Sequence, residues 1–519
     1  MKNQLTILAN FQKKSVFILI AIISYLIIGS GLHGDDHTAI LGMKGISFYE
    51  FLTTPFDISI FGIVGYYLYW WPYYLLGDDY QIIYDLIKVA ANILSVLFVY
   101  KFAKEYLTKN RALLASILFV FYPAHEVTTY WFMTFSYVLV PSLIMLGHYE
   151  IDQNNRYKGL FLTTLGAFAS YGSIPYIFGL STIFFIKKQT NKALLFLAPG
   201  ILYVGFYFFI KFKYDGLERR INEDLGFIDY IKQLIAQPLS LADAIIGPSY
   251  WLKSIFAIYS ISWVSLIIVA IITAYFILFR VLRFKRPRFN KNLVIGLSSV
   301  LLLSFFMYAL TGLYQHSPFN LGNRSTTYGS LLLAFLIAMF MKSSKLNYIF
   351  LLVFFLLPSF GLSDHWKSWN NNQLEIISNV RSNQQLKSIE KDSILLVTDN
   401  LYSKLGPFSH IEFFSMPWHT KSIFKEHVKT NNIITLTPYL RVQDNFLIDE
   451  KSKSRKVIRN NIYLYSSKDN TLRKISSDQL LDITNQKQGH IRHWIQLFKN
   501  TFIAEIVVWI SPRLSFLFI

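Results

Sequence analysis

The chain has 519 residues, of which 53% are hydrophobic, 17% aromatic and 16% charged, and it carries a formal net charge of +19. Soluble globular domains carry about 25% charged residues, so this deficit argues against a soluble enzyme and for a membrane protein. The absence of cysteine excludes disulfides, thiolate metal sites and cysteine nucleophiles.

Apolar runs close to the roughly twenty residues that cross a bilayer recur along the first 360 positions. They predict eleven spans, at 15–31, 82–100, 112–124, 133–149, 159–175, 176–186, 193–210, 254–279, 293–312, 326–341 and 346–362. The first run, Ser15 to Gly31, has no charged side chain, lacks an A-x-A-like cleavage site and is closely followed by further spans, so it reads as a span and not a signal peptide.

The run ends in "GSGLHGDDHT", which sets Asp35 and Asp36 between His33 and His37 at the start of a long loop. Such carboxylates serve a general base or a divalent cation (Mg or Mn), or they simply order a solvated turn. The flanking histidines fit an oxygen-preferring metal less well. Later in that loop, "FGIVGYYLYWWPYYLLG" at 61–77 is too broken by Gly, Pro and aromatic residues to span, and it reads as a segment along the interface. Asp57 has no distinguishing context. Asp78 and Asp79 precede the second span and are expected to cap it.

Lys88 lies about two turns inside that span, with Asp85 three residues earlier on the same face. Charges within spans are costly, so the two are either a paired structural couple or, for Lys88, a cation that holds a lipid phosphate. "YPAHEVTTYW" at 122–131 offers His125 and Glu126 at an outer turn, as cavity-lining residues or as an ordinary polar turn. "YQHSPFNLGNRSTTYG" at 314–329 has Arg324 as its sole basic residue. A guanidinium there matches phosphate oxygens as a fork, or else anchors the turn at the interface.

After Leu362 the composition becomes polar. Strand-like runs at 393–399, 432–440 and 461–467, with helix-like stretches at 372–390 and 418–430, predict a small α/β domain. The apolar tail from Thr501 is read as a membrane-resting helix, with a twelfth span as the alternative. The domains are therefore 1–362 in the membrane and 363–519 outside it.

Orientation follows from the cations of the short loops. Twenty Lys and Arg fall on the side of the N-terminus, six of them in "RVLRFKRPRFNK" at 280–291, against eight on the other side before residue 363. The N-terminus is expected to be cytoplasmic and the acid pair outward-facing. The basic excess is then topology and not nucleic-acid binding.

This arrangement resembles the GT-C glycosyltransferases, multispanning enzymes that use polyprenyl-phosphate sugars. The likeness lies in one span followed at once by acids in a long outer loop, then "YWWPYYLLGDDYQIIYDLIKVAANILSVLFVYKFAKEYL", "RALLASILFVFYPAHEVTTYWFMTFSYVLVPSLIML" with its P-x-H turn, and "GNRSTTYGSLLLAF". The resemblance implies an α-helical polytopic fold with an extracytoplasmic α/β domain, located in a bacterial cytoplasmic membrane. It implies sugar transfer from a polyprenyl-phosphate donor to a glycan, lipid or protein acceptor, with the loop acid at Asp35 or Asp36 and the late-turn arginine at Arg324. Lys88 has no counterpart in it. His33, His37, His125, Glu126 and Arg324 are then expected to line one outward cavity with the acids.

The rival readings are a lipid-linked glycan polymerase or ligase of another fold, a transporter and a non-catalytic scaffold. Few ionisable residues lie within the spans beyond Asp85 and Lys88, which argues against ion-coupled transport. Topology is testable in this cysteine-free chain. An impermeant thiol reagent on intact cells is expected to label Lys456→Cys and to spare Lys285→Cys; the reverse pattern inverts the orientation.

Overall fold

The structure, a computed structural model, describes residues 17–58, 63–213, 221, 226–279, 284, 289–312, 316–450, 454–458, 461–485 and 490–510. Residues 15–16, most of the basic linker at 280–291, Arg219, Arg220 and the tail at 511–519 lie outside the described residues. So do the side chains of Asp57, Lys211 and Lys213. The chain forms two bodies. One comprises Met1–Gly31, Gly45–Pro318 and Gly322–His365, the other Leu32–Lys44, Phe319–Leu321 and Trp366–Ile519.

The first body is helical because an apolar segment without water can satisfy its backbone only internally. A helix occupies every apolar run read from the sequence. Among the described residues, five helices have the length and apolarity to cross a membrane: Gln81–Ala103, Phe132–Asp152, Thr190–Ile210, Lys291–Thr311 and Lys345–Ser382. A bent pair makes a possible sixth. The helices Lys109–Val120, Arg156–Ala167, Ile174–Ile186 and Thr327–Phe340 have only 12 to 14 residues. Helix length therefore does not carry the count of eleven spans.

Two expected spans differ in form. The run at 254–279 is not one helix: Phe227–Tyr259 and Trp263–Tyr275 meet at 108°. At that corner the Ser262 N–H donates to the Asp364 carboxylate at 2.7 Å, and the Ser262 hydroxyl accepts from Ser265 N at 3.2 Å, so a side chain restarts the helix. The run at 346–362 does not stop where the composition turns polar, because the helix continues to Ser382 through a π-turn at Leu352–Leu356. A change of surroundings alters which residues a helix carries without ending it.

Packing in this body depends on small residues and satisfied carbonyls. Arg111 is buried, and its guanidinium donates to the Ala338, Met339 and Met341 carbonyls, closing the end of Thr327–Phe340. Gly179, in Ile174–Ile186, lies so close to Lys291–Thr311 that a Cβ would stand 2.4 Å from Val300 N.

The second body begins with the helix Asp35–Met43. Its strands are β1 (Ile394–Thr398), β2 (Tyr402–Leu405), β3 (Phe408–Glu412), β4 (Asn432–Thr435), β5 (Leu440–Gln443), β6 (Phe446–Asp449), β7 (Ser454–Val457), β8 (Ile462–Ser466) and β9 (Thr471–Ile475). The main sheet has the order β4-β1-β8-β9, with β1 parallel to β4 and β8, and β9 antiparallel to β8. Strand alternation splits the core in two: Leu395 and Val397 join one apolar cluster, Ile394 and Leu396 the other. The expected strands fall on β1, β4 running towards β5, and β8, so the α/β reading of this region matches its elements. The expected helix at 418–430 is Pro417–Phe424, and the apolar tail contributes Phe502–Ile510.

Replacing Gly179 by Leu is expected to wedge two helices apart at a cost of about 1–3 kcal/mol, read as a lowered unfolding temperature in detergent. Gly205→Ala, where nothing lies within 4 Å of the new Cβ, serves as the control and is expected to leave stability unchanged or slightly raised.

Candidate active site

In the second body, "GDDHT" becomes a helix entrance. Gly34 stands at φ +42° in the position before Asp35–Met43, a conformation that excludes most side chains. Both acids fall in the first turn, where the helix dipole favours negative charge. Their environments then separate them. Asp36 is fully buried, and its Oδ2 accepts the His33 backbone N–H at 2.8 Å. It fastens the entrance of the helix.

Asp35 faces a different set of partners. Its Oδ1 accepts from Trp418 Nε1 at 2.9 Å and lies 2.7 Å from His419 Nε2. Pro417–Phe424, which carries both residues, starts with Pro417 in its first turn. Glu412, at the end of β3, completes the group: one ligand atom from each of Asp35, Glu412 and His419 lies within 4.8 Å of the others. Glu412 also accepts from Ser415 Oγ at 2.9 Å and Asn320 Nδ2 at 3.4 Å.

Burial of the His419 ring opposes its charging. The hydrogen bond to Asp35 and the charges of Glu412 and Asp35 outweigh that, so the imidazole titrates above its ordinary value. His419 and Glu412 are buried, whereas the Asp35 side chain is 25% exposed, which makes Asp35 the member a substrate can reach. The other two histidines of the motif are packed elsewhere. His33 stands edge-on to Trp366 with ring centroids 4.7 Å apart, its Nδ1 2.7 Å from the Gln373 amide nitrogen, and His37 packs against Phe413. Neither belongs to the Asp35 group.

In the first body, Lys88 is wholly buried. Its ammonium meets Asp85 at 2.8 Å, Ser30 Oγ at 2.7 Å, the Gly31 carbonyl at 2.8 Å and the Tyr130 carbonyl at 2.7 Å. Asp85 in turn accepts the Gly29 and Gly31 amides at 2.7 and 3.1 Å. All three ammonium protons are engaged within the fold, so the paired structural couple describes this lysine better than the phosphate cation. The cap position of the same helix is Tyr80, which makes no side-chain capping bond.

The turns at 122–131 and 314–329 come together. Glu126 is buried against Lys253, and its Oε2 also accepts from Asn323 Nδ2 at 2.8 Å. Lys253 donates as well to the Pro318 carbonyl. His125 is buried against the rings of Phe119 and Tyr122. Arg324 adjoins this knot on the turn Leu321–Thr326, half-buried, with its guanidinium 5.6 Å from the centroid of the Tyr137 ring. The same body contains an apolar groove of about 190 Å³ lined by residues such as Leu19, Leu26, Leu118, Phe121, Leu352 and Phe360.

Sequence reasoning passed over Lys253, Glu412 and His419. "HIEFFSMPWHT" at 410–420 holds two histidines and a glutamate, a detectable signal, but nothing local ties it to Asp35 more than 370 positions earlier.

No family model and no curated protein matches this chain. Among solved structures, ArnT from Cupriavidus metallidurans, bound to undecaprenyl phosphate, is similar at 10% identity over 81% of this chain and 86% of that one, with a TM-score of 0.41. The Archaeoglobus fulgidus oligosaccharyltransferase tethered to an acceptor peptide is similar at 12% identity over 82% and 64%, with a TM-score of 0.37. AglB of the same organism, in complex with an inhibitory peptide and a dolichol-phosphate, is similar at 11% identity over 81% and 64%, also at 0.37. This chain spans less than two thirds of the length of the archaeal chains.

The Glu126–Lys253 knot predicts an asymmetric response to mutation. Lys253→Met strands a buried carboxylate and is expected to cost about 3–5 kcal/mol. Adding Glu126→Gln removes the stranded charge and is expected to restore most of the unfolding temperature in detergent. Equal destabilisation by the single and the double variant contradicts the pairing.

Proposed function

We propose that this protein is an integral membrane glycosyltransferase that moves a sugar from a polyprenyl-phosphate carrier to a glycan, lipid or protein of the cell envelope, on the outer face of the membrane. The observation that carries the reading is Asp35. It is the accessible member of an Asp–Glu–His group, and it occupies the position after the first apolar helix where the GT-C resemblance puts its loop acid.

The chemistry follows from the charges involved. An acceptor hydroxyl attacks the anomeric carbon of the donor sugar while the bond from that carbon to the phosphate oxygen breaks. Asp35 accepts the proton that the hydroxyl loses. His419 acts on Asp35 as a positioning partner, with its Nε2 2.7 Å from the carboxylate Oδ1. Asp36 serves the helix entrance. The departing phosphate gains negative charge, and Arg324 is the group assigned to it, because a guanidinium meets two phosphate oxygens at once. The apolar groove suits the carrier's isoprenoid chain. Lys88 serves this reading as a tether that fixes the exit of the first helix.

The donor set of Asp35, Glu412 and His419 fits a divalent cation. Its single imidazole favours manganese or zinc over magnesium, and it replaces the Asp35–Asp36 pair expected from sequence. A cation held there would supply Lewis-acid stabilisation of negative charge.

The test is transfer from a lipid-linked donor in membranes, normalised to expression. Asp35→Asn keeps the shape but removes the proton acceptor, and is expected to lower the rate by about two to four orders of magnitude. Asp36→Asn still accepts the His33 amide and is expected to stay within about tenfold of the parent. Arg324→Lys retains charge without the fork, so its loss is expected mainly in KM for the donor. Undiminished transfer by Asp35→Asn ends the catalytic reading of this loop.

A further inference from the structure

The main sheet of the second body has a second polar site, separate from Asp35. Along one face, successive rows run Ile394–Ile462–Ile475, then Leu396–Leu464–Arg473, then Thr398–Ser466–Thr471. The first row is buried core; the last is three adjacent hydroxyls at the carboxyl ends of β1 and β8. A cleft of about 410 Å³ opens over them, walled by Leu436, Ile483, Asp399 and Asp469. That volume is in the range of small-molecule sites.

The chain leaves β1 towards β4 on one side and leaves β8 towards β9 on the other. The cleft lies at the carboxyl ends of β1 and β8, parallel neighbours whose outgoing residues Asp399 and Asp469 both border it. The loops at this rim are shaped for it. Asp399, Asn400 and Asn470 all have positive φ, and Asn400 Nδ2 donates to Ser467 Oγ at 3.1 Å, tying the two loops together.

The chemistry of the cleft is directional and carries both signs. Ser466 Oγ stands 2.9 Å from Asp399 Oδ2 and 3.0 Å from Asp469 Oδ2. One hydroxyl proton serves only one of these carboxylates at a time, so the other is open to a ligand hydroxyl. Arg473 and Thr471 bring donors from the opposite side, over a floor of Leu464 and Leu436. Paired carboxylate acceptors, a guanidinium and an aliphatic floor suit a ring that bears hydroxyls on its edge and C–H groups on its face.

We propose that this cleft binds a sugar unit, and that the sugar belongs to the acceptor; the second half of that statement rests on the glycosyltransferase reading. The cleft holds the sugar by its hydroxyl edge, and the second body thereby takes part in acceptor selection.

The test uses full-length protein in detergent and titrates glucose, galactose, mannose, N-acetylglucosamine and arabinose, with saturation-transfer NMR as the readout. Saturable binding of at least one sugar is expected, weakened at least about tenfold by Asp469→Ala and by Arg473→Ala. Both side chains are exposed, so folding is expected to survive, as an unchanged unfolding temperature checks. Asp35→Asn is expected to bind the sugar as the parent does. No saturable binding by any of the five sugars, or equal binding in both cleft variants, overturns the proposal. Sugar binding without transfer overturns only the glycosyltransferase reading, and transfer without sugar binding overturns only the cleft.

Discussion

An ammonium group taken wholly out of water must replace each hydrogen bond it loses, and Lys88 does this with one carboxylate, one hydroxyl and two backbone carbonyls. Those partners come from three separate stretches: Ser30 and Gly31 at the exit of the first helix, Asp85 within the second, and Tyr130 in a later turn. Because burying either charge alone is so costly, the exit of the first helix cannot drift from the second without stranding both. Glu126 and Lys253 apply the same constraint to the turn at 122–131 and the helix Pro248–Tyr259, with Asn323 as the third member. Both knots are closed charge pairs, and this weighs against reading them as stations on an ion pathway.

Within the second body, two adjacent carboxylates are divided by exposure and not by charge. Asp36 is spent on the backbone amide of His33, while Asp35 projects from the next position along the helix and meets an imidazole, an indole and a glutamate. Successive helical residues point about 100° apart, so neighbouring acids seldom share one task. The pair in "GSGLHGDDHT" is accordingly one buried anchor and one part-exposed carboxylate.

What could be read in the sequence was whatever depends on local pattern. Apolar runs located the helices, and strand-like runs located β1, β4 and β8. The turn at 122–131 and the turn with Arg324 were both singled out, and they do meet. Length was less legible, because four of the runs build helices of only 12 to 14 residues. The corner at 260–262 depends on Asp364, about a hundred positions away. The same limit hid the partners of the charges. Lys253 was counted as one of eight outer cations, and Arg111 as one of twenty inner ones, when both are buried and bonded in place. His419 lies 384 positions from Asp35, so only the fold could join them.

The main sheet of the second body shows how one element can serve both stability and binding. On one face the apolar side chains of β1, β8 and β9 fill a core at one end and give way within three rows to hydroxyls. Thr398 and Ser466 are half-buried and Thr471 is exposed, so the third row forms the solvent rim of the sheet and not its core. Ser466 Oγ lies within hydrogen-bond distance of both Asp399 and Asp469, so hydroxyl and carboxylate oxygens gather at that edge. That is the physical ground for treating the carboxyl edge as a site, in parallel with the strained entrance of the helix at Asp35.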